Sequence, residues 1–183
     1  KSKEIKVVGS VDELLSMAKR SGNRYFVMRH GEAGNNVANV MDNSNKGNHA
    51  LTERGRQQVL ATAAELKREN IDLIIYSPLR RTHDTAVLVG RELGLPERAL
   101  MVDERVREVN VGVFDGRPLA EWKAFFRDFG ERFSKAPEGG ETYTQVHRRV
   151  GEFRFDVERR YVNKKILIVM HEGAAFLMQS VAS

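Results

Sequence analysis

Short apolar runs alternate along the chain with longer segments in which apolar residues recur every three or four positions. The short runs are typical of buried strands, and the longer amphipathic segments are typical of helices. Strands are predicted at residues 25–28, 72–76, 99–103 and 165–170, and helices at residues 11–21, 52–69, 78–93, 119–133, 142–161 and from 174 onwards. This alternation predicts an α/β fold, a three-layer αβα sandwich with a mostly parallel central sheet, forming a single domain over residues 1–183.

Polar residues mark the ends of several of these helices. Thr142 and Gln145 have the spacing of a capping box, and Thr52 can cap the helix that follows it. The Asn-rich residues 34–49 and the glycine-containing residues 109–116 are predicted to be loops. The loops therefore fall directly after predicted strands or next to them.

A stripe of aromatic residues runs along the predicted helix at residues 119–133. Its members recur at spacings of three and four, which favours packing in the core or in a lid over a cofactor-binding role. The stripe consists of Trp122, Phe125, Phe126, Phe129 and Phe133.

The composition is ordinary for a globular protein of 183 residues, with 41% hydrophobic and 30% charged residues. Cysteine is absent, which excludes disulfides and thiolate chemistry. The formal net charge of +5 favours anionic ligands. Basic and acidic residues nevertheless alternate, as at residues 154–160, which is more typical of a solvated helix face than of a nucleic-acid surface. Nucleic-acid binding is therefore not favoured.

Neither a membrane span nor a signal peptide is indicated by the hydrophobic pattern. The longest apolar run near the end, residues 166–170, is far too short to cross a bilayer. The first twenty residues lack an apolar core of the kind that signal peptides carry. We expect a cytoplasmic protein without membrane contact. The chain begins with Lys1 rather than Met and stops at Ser183, soon after its last predicted strand, which favours a segment of a longer polypeptide.

Three predicted strands end in residues that can bind phosphate. The first runs into Arg29 and His30, the second into residues 77–81, and the last into His171 and Glu172. Because the carboxyl ends of parallel strands meet at one edge of a sheet, we expect two arginines and two histidines to share a pocket. Arginine forks match phosphate oxygens, and a histidine among them can act as a nucleophile, an acid or a metal ligand.

Other interpretations of the same residues stay open at this point. His30 and His171 could be hydrogen-bonded core histidines, or they could form a metal site with Glu172. The neighbouring arginines disfavour the metal site because they would repel a cation. The remaining histidines do not lie in a motif that would make them catalytic, and we interpret them as surface or rim residues. They are His49, His83 and His147.

Six short motifs follow one another along residues 24–173. They are Arg29-His30-Gly31 with Asn36, Leu51-Thr52-Glu53-Arg54-Gly55, Ser77-Pro78-Leu79 with Arg81-Thr82 and Thr85-Ala86, Glu108 with Gly112 and Gly116, residues 137–141, and Val169-Met170-His171. Together they resemble the histidine phosphatase superfamily, also called the phosphoglycerate mutase-like family, in the branch that carries the RHG motif. A single RHG is weak evidence, whereas six motifs in order and at similar intervals are specific.

The resemblance implies a phosphoglycerate mutase-like fold, no metal or other cofactor, and a phosphohistidine intermediate. In that mechanism His30 attacks phosphorus, while Glu108 protonates the leaving alkoxide and then deprotonates the attacking water. Arg29, Arg81 and His171 would stabilise the charge on the transferring phosphoryl group.

The resemblance adds further candidates around the first motif. Asn36 would bind phosphate, and Gly31 and Glu32 are additional candidate site residues beside the nucleophile. Ala33 and Asp84 stand where many members of the family carry other residues. These two departures predict different hydrogen bonds at the rim of the pocket.

Glu172 is a rival to Glu108 for the role of proton donor. It replaces the small residue that is common after the second histidine in this branch, and it resembles the acid phosphatase branch, in which an acid at that place donates the proton. The alternative interpretation is that Glu172 turns away and caps the helix that begins near Gly173, where the helix dipole favours negative charge.

The predicted function is hydrolysis of a small phosphorylated substrate, and sugar phosphates, nucleotides, phosphoserine and phosphoproteins all fit it. Phosphoglycerate mutase-type phosphoryl transfer is the first alternative; it is less favoured because mutases resemble one another in a longer insertion before the residues at 137–141. A second alternative is an accessory domain of a larger enzyme such as an aminoacyl-tRNA synthetase. An inactive phosphate-binding domain is disfavoured because all the motif residues are present.

Overall fold

The computed structural model describes residues 21–181, and within this range four parallel strands form one sheet. The strands are β1 (Arg24–Arg29), β2 (Leu73–Tyr76), β3 (Leu100–Val102) and β4 (Lys165–Met170). Their order across the sheet is β1-β4-β2-β3, and every neighbouring pair is parallel. The last strand in the chain therefore lies in the middle of the sheet, between β1 and β2.

Six α-helices connect and cover the strands in the described part of the chain. They are α1 (Gly34–Ala38), α2 (Glu53–Leu66), α3 (Arg80–Glu92), α4 (Leu119–Ala124), α5 (Tyr143–Arg160) and α6 (Glu172–Val181). Short 3₁₀ turns occur at Lys67–Glu69, Glu97–Ala99, Glu104–Val106, Gly112–Phe114 and Gly130–Phe133. Among these described helices, none has the length and apolar character that a membrane crossing requires.

Side chains of β4 alternate between two separate cores, as the period of a strand requires. Ile166 and Ile168 belong to the core that also contains residues of α5 and α6. Leu167 and Val169 belong to the core formed with α2 and α3. Helices thus cover both faces of a parallel sheet, and the predicted three-layer αβα fold is confirmed.

The predicted strands and helix caps agree closely with the structure. The amide of Gly55 donates to the hydroxyl of Thr52 at 2.9 Å, and Thr142 and Gln145 form the reciprocal capping box at the start of α5. The predicted helix at residues 11–21 lies outside the described residues, except for Ser21 at its end.

Two predicted segments differ from the structure. The Asn-rich segment predicted as loop contains the short helix α1, and the helix predicted over residues 119–133 ends at Ala124. Side chains take up backbone donors beyond that point: the carboxylate of Asp128 accepts the amide of Glu131 at 3.0 Å, and the carboxylate of Glu131 accepts the amide of Arg127 at 2.8 Å. Such local bonds compete with the helical ladder and divide the segment.

Two glycines allow the end of β1 to lie against the start of α2. A Cβ atom at Gly31 would lie 2.5 Å from the carbonyl oxygen of Gly55, and one at Gly55 would overlap the carbonyl oxygen of Glu32. The amide of Thr52 donates to that same oxygen of Glu32 at 2.9 Å. The close approach fixes the peptide that follows His30 against the first turn of a long helix.

We expect Gly55→Ala to lower the free energy of unfolding by about 1–3 kcal/mol, because the added methyl forces two backbone segments apart. Urea unfolding measures the change. Gly130→Ala is the matched control, since its added Cβ would meet only the carboxylate of Asp128 at 3.2 Å. The control should change stability by less than about 0.5 kcal/mol. Equal effects of both substitutions would contradict the proposed backbone contact.

Candidate active site

A cleft of about 590 Å³ opens where β1, β2 and β4 end. Residues at or after the ends of all four strands meet on its wall, so the structure brings together side chains that are far apart in the chain. They include Arg29, His30, Arg81, Glu108 and Glu172. His171 lies just behind this wall, fully buried, with its ring centroid 5.2 Å from that of His30.

His30 presents an unprotonated ring nitrogen to the cleft. Its Nδ1 lies 2.8 Å from the carbonyl oxygen of Gly31, which can only accept, so Nδ1 carries the proton. The other nitrogen, Nε2, accepts the Nε–H of Arg81 at 3.1 Å. Burial and the nearby charge of Arg81 lower the pKa of His30 to about 3. A neutral imidazole with an unprotonated Nε2 is the form that can attack phosphorus, once the hydrogen bond from Arg81 passes to the phosphate.

Arg81 connects both histidines of the site to Asp42. Besides His30, its guanidinium donates from Nη1 to the carboxylate of Asp42 at 3.0 Å and from Nη2 to the backbone oxygen of Asp42 at 2.7 Å. The side chains of Arg81 and Asp42 are only 3% and 4% exposed. A buried charge of this kind requires an opposite charge with good geometry, and Asp42 supplies it.

His171 is oriented from two sides. Its Nδ1 lies 3.4 Å from Nη2 of Arg81, which can only donate, and its Nε2 lies 2.8 Å from the hydroxyl of Ser77. Nδ1 is therefore the acceptor, and Nε2–H donates to Ser77. Burial, with the charge of Arg81, holds the pKa of His171 well below its usual value. Both histidines of the site are neutral.

Glu108 is enclosed by the start of α6. Its carboxylate accepts the amide of Val109 at 2.9 Å, and a Cβ atom at Gly173 would lie 2.8 Å from its Oε1. Burial raises the pKa of Glu108, although the amides of Val109 and Gly173 and the charge of Arg81 oppose the shift. A carboxyl group that keeps its proton at higher pH is suited to general acid catalysis.

Arg149 braces the loop that carries Glu108. It donates to the backbone oxygens of Arg105 at 2.7 Å, of Arg107 at 2.9 Å and of Glu108 at 3.1 Å. Its charge is paired with Glu141 at 3.0 Å. These hydrogen bonds join α5 to a loop that is distant along the chain, and no sequence motif indicated them.

Arg29 and Glu172 form an ion pair at the mouth of the cleft. Their closest atoms are 2.9 Å apart, and their side chains are 49% and 76% exposed. Glu172 is also the first residue of α6, where a negative charge interacts favourably with the helix dipole. The two proton-donor candidates thus have different surroundings: Glu108 is enclosed, and Glu172 faces solvent and a cation.

The other candidates of the first motif lie in different places. Asn36 lines the cleft, and its side-chain oxygen accepts the amide of Ala33 at 2.9 Å. Gly31 contributes the carbonyl that orients His30. Glu32 does not line the cleft; its carboxylate accepts the hydroxyl of Thr52 at 2.8 Å and lies 3.8 Å from Arg54.

Asp42 is the main site residue that sequence reasoning missed. It lies in the Asn-rich segment, where no periodicity or motif distinguishes it from its neighbours. The only available signal was that an acidic residue occurs in a polar segment that follows the nucleophile. Asn35, also missed, lines the cleft with a buried side-chain oxygen that has no hydrogen-bond partner among the described residues.

Among residues 21–181, no group of three or more His, Asp or Glu side chains is arranged to hold a metal ion. The predicted surface or rim histidines do not line the cleft: His83 is exposed, and His49 and His147 are half-buried.

Comparison with known proteins identifies one family. The family described as "Histidine phosphatase superfamily (branch 1)" matches residues 25–181. Phosphoserine phosphatase 1 of Hydrogenobacter thermophilus is 31% identical over 126 residues, which cover 66% of this chain and 58% of that protein. A Yersinia pestis protein named "Probable phosphoglycerate mutase GpmB" is 31% identical over 132 residues, covering 68% of this chain and 58% of that protein.

A solved structure agrees with this result. The structure of a mycobacterial glucosyl-3-phosphoglycerate phosphatase in complex with VO3 superimposes with a TM-score of 0.71 and 28% identity. The match covers 84% of this chain and 77% of that chain. The chain spans about half the length of the curated relatives it matches.

We expect Asp42→Ala to lower the free energy of unfolding by about 3–5 kcal/mol, because it leaves the buried charge of Arg81 without its partner. Urea unfolding at neutral pH measures the change. Asp84→Ala is the control, since it removes the partner of Arg80 from a more exposed pair. The control should cost at most about 1 kcal/mol. A loss no larger for Asp42→Ala than for the control would show that the buried pair is unimportant.

We expect His30→Asn to flatten the dependence of stability on pH. Unfolded histidine takes up a proton near about pH 6.5, whereas folded His30 stays neutral down to about pH 3. The unfolded state therefore binds the extra proton, and wild-type stability falls as the pH falls through this window. Between about pH 6 and about pH 4.5 the slope for the wild type should exceed that of the variant by about 1.4 kcal/mol per pH unit. Identical slopes in urea unfolding would exclude a buried neutral His30.

Proposed function

The chain belongs to branch 1 of the histidine phosphatase superfamily, and on this premise we propose that it hydrolyses phosphomonoesters through a phosphohistidine formed at His30. The observation that carries the proposal is the unprotonated Nε2 of His30, held in the cleft against the guanidinium of Arg81 at 3.1 Å. A nucleophile and a phosphate-binding cation are thus adjacent before any substrate arrives, so little reorganisation is needed.

In the first step Nε2 of His30 attacks phosphorus, the nitrogen–phosphorus bond forms and the bond to the alcohol oxygen breaks. Glu108 gives its proton to the leaving oxygen. In the second step Glu108 takes a proton from water, whose oxygen attacks phosphorus and releases His30 and phosphate. The hydrogen bond from Nδ1–H to the carbonyl of Gly31 stabilises the positive charge that the imidazole ring gains in the intermediate.

Cations around His30 would stabilise the transferring phosphoryl group. Arg81 and Arg29 both line the cleft beside it, and Asn36, in the short helix α1 that follows His30, adds an amide to the lining. His171 contacts Arg81 from behind, so its contribution is to hold the fork in place as well as to shape the phosphate pocket. Planar guanidinium groups suit this task because they bind phosphate oxygens in pairs and stay charged.

Glu108 is the proposed proton donor, in preference to Glu172. Enclosure raises the pKa of Glu108, which keeps it protonated at higher pH. Glu172 is 76% exposed, and its carboxyl group lies 2.9 Å from the guanidinium of Arg29 at the mouth of the cleft. The proposed role of Glu172 is therefore to orient Arg29 and to begin α6.

The substrate is proposed to be a small phosphorylated molecule. The names of similar proteins mention phosphoserine and glucosyl-3-phosphoglycerate, and both are phosphomonoesters of small alcohols. Phosphoryl transfer between hydroxyl groups, as in a mutase, is the second candidate, because one similar protein carries that name. The short segment between Glu108 and residues 137–141 favours hydrolysis, since mutases of the family resemble one another in a longer insertion there.

The protein should hydrolyse p-nitrophenyl phosphate in the presence of a chelator, and His30→Ala should abolish this activity. His83→Ala is the control, because this exposed histidine does not line the cleft. The phosphoenzyme should be stable to alkali and labile to acid, as a phosphohistidine is. Activity that survives His30→Ala would contradict the proposal. Release of less inorganic phosphate than alcohol, with transfer to an added acceptor alcohol, would favour the mutase.

The proton donor can be tested with two leaving groups. Glu108→Gln should slow hydrolysis of an alkyl phosphate about 100-fold or more, since the alkoxide needs a proton, and should slow that of p-nitrophenyl phosphate much less. Glu172→Gln is the matched comparison and should not discriminate between the two substrates. A selective loss on the alkyl phosphate in Glu172→Gln alone would assign the role to Glu172 instead.

A further inference from the structure

The part of the cleft away from His30 is lined by aromatic rings and two cations. Phe129 and Phe176 are each about half exposed, with their ring centroids 5.7 Å apart in an edge contact. They join the segment after α4 to helix α6 across the mouth of the cleft. The full set consists of Trp122, Lys123, Phe129, Arg132, Tyr143 and Phe176.

Arg132 is held among these rings without an opposite charge. Its guanidinium carbon lies 4.6 Å from the ring centroid of Trp122 and 5.1 Å from that of Phe129, and Nη1 donates to the hydroxyl of Tyr143 at 3.3 Å. Its Nε–H is buried and has no acceptor among residues 21–181. Arg132 forms no ion pair within the same residues, whereas the nearby Arg149 pairs with Glu141 at 3.0 Å.

In this environment Arg132 can bind an anionic ligand in addition to its present contacts. Arg132 lines the cleft and has no carboxylate partner among residues 21–181, so an incoming anion can pair with the part of its guanidinium that faces the cleft. The aromatic rings keep the planar guanidinium in a fixed orientation and offer faces to a flat apolar group. A neutral, strongly hydroxylated leaving group would leave the charge of Arg132 without an opposite charge.

We propose that these residues form a leaving-group subsite for phosphomonoesters whose alcohol carries an aromatic ring and a carboxylate. The carboxylate binds to Arg132, and the ring lies against Phe129 and Phe176. The subsite deepens the proposed hydrolysis and rests on it for the position of the phosphate beside His30. It identifies Arg132 as a specificity-determining residue that contacts the leaving group rather than the reacting atoms.

Binding can be measured without any chemistry because Trp122 is the single tryptophan of the chain and lines the cleft. Its fluorescence should report titrations with phenylphosphonate and 4-carboxyphenylphosphonate, which cannot be hydrolysed. We expect the wild type to bind the carboxylated compound about tenfold more tightly, as one charge-assisted hydrogen bond predicts.

Variants of Arg132 test whether this side chain causes the preference for the carboxylated phosphonate. Arg132→Gln should abolish the preference and leave the affinity for phenylphosphonate within about twofold. Arg132→Lys should keep part of the preference, since it retains the charge but not the fork. Arg148→Gln is the control, because Arg148 is an exposed arginine of α5 that pairs with Glu152 outside the cleft; it should behave as the wild type does.

Several outcomes would overturn the subsite. One is equal affinity of the wild type for both phosphonates. Another is an equal loss of affinity for both phosphonates in Arg132→Gln and Arg132→Lys, because it would show that Arg132 has a purely structural role. The corresponding phosphates separate this proposal from the proposed hydrolysis. Hydrolysis of phenyl phosphate and 4-carboxyphenyl phosphate at equal kcat/KM would refute the subsite alone. A clear preference in binding for the carboxylated phosphonate, without hydrolysis of either phosphate, would refute the phosphatase activity alone.

Discussion

The buried guanidinium of Arg81 is the interaction on which the candidate site depends. Its nitrogens contact Asp42, His30 and His171, so one side chain links the segment after α1 to the ends of β1 and β4. The planar guanidinium donates hydrogen bonds to all three partners in fixed directions, which the ammonium group of a lysine could not do. Because the group is almost completely buried, its charge has to be balanced within the protein, and Asp42 provides that balance before a phosphate arrives.

Burial of this region also sets the protonation states that the proposed chemistry needs. Removal from water disfavours the imidazolium forms of His30 and His171 and the carboxylate form of Glu108. The lowered pKa values of the two histidines and the raised pKa of Glu108 therefore have the same physical cause. The glycines around the site serve this enclosure, since Gly31 admits the start of α2 and Gly173 admits the carboxyl group of Glu108.

The two sides of the cleft differ in how they are built. Strand ends position the proposed catalytic residues on one side, and the parallel ladder with both faces covered makes these ends rigid. The opposite side comes largely from the irregular segment between α4 and α5, which is held by aromatic contacts and by Arg132. Segments of this kind can change without disturbing the sheet, which makes them suited to determining substrate preference.

The sequence by itself determined the alternation of strands and helices, the caps at Thr52 and Thr142, and the grouping of Arg29, His30, Arg81 and His171 at strand ends. These features depend on local periodicity and on the rule that parallel strands end at one edge. Only the tertiary structure decided that Asp42 pairs with Arg81, that Glu32 turns toward Thr52, and that the helix predicted over residues 119–133 is divided. Those outcomes depend on contacts between distant segments and on which polar groups lose their water, and neither is encoded in the spacing of residues along one segment.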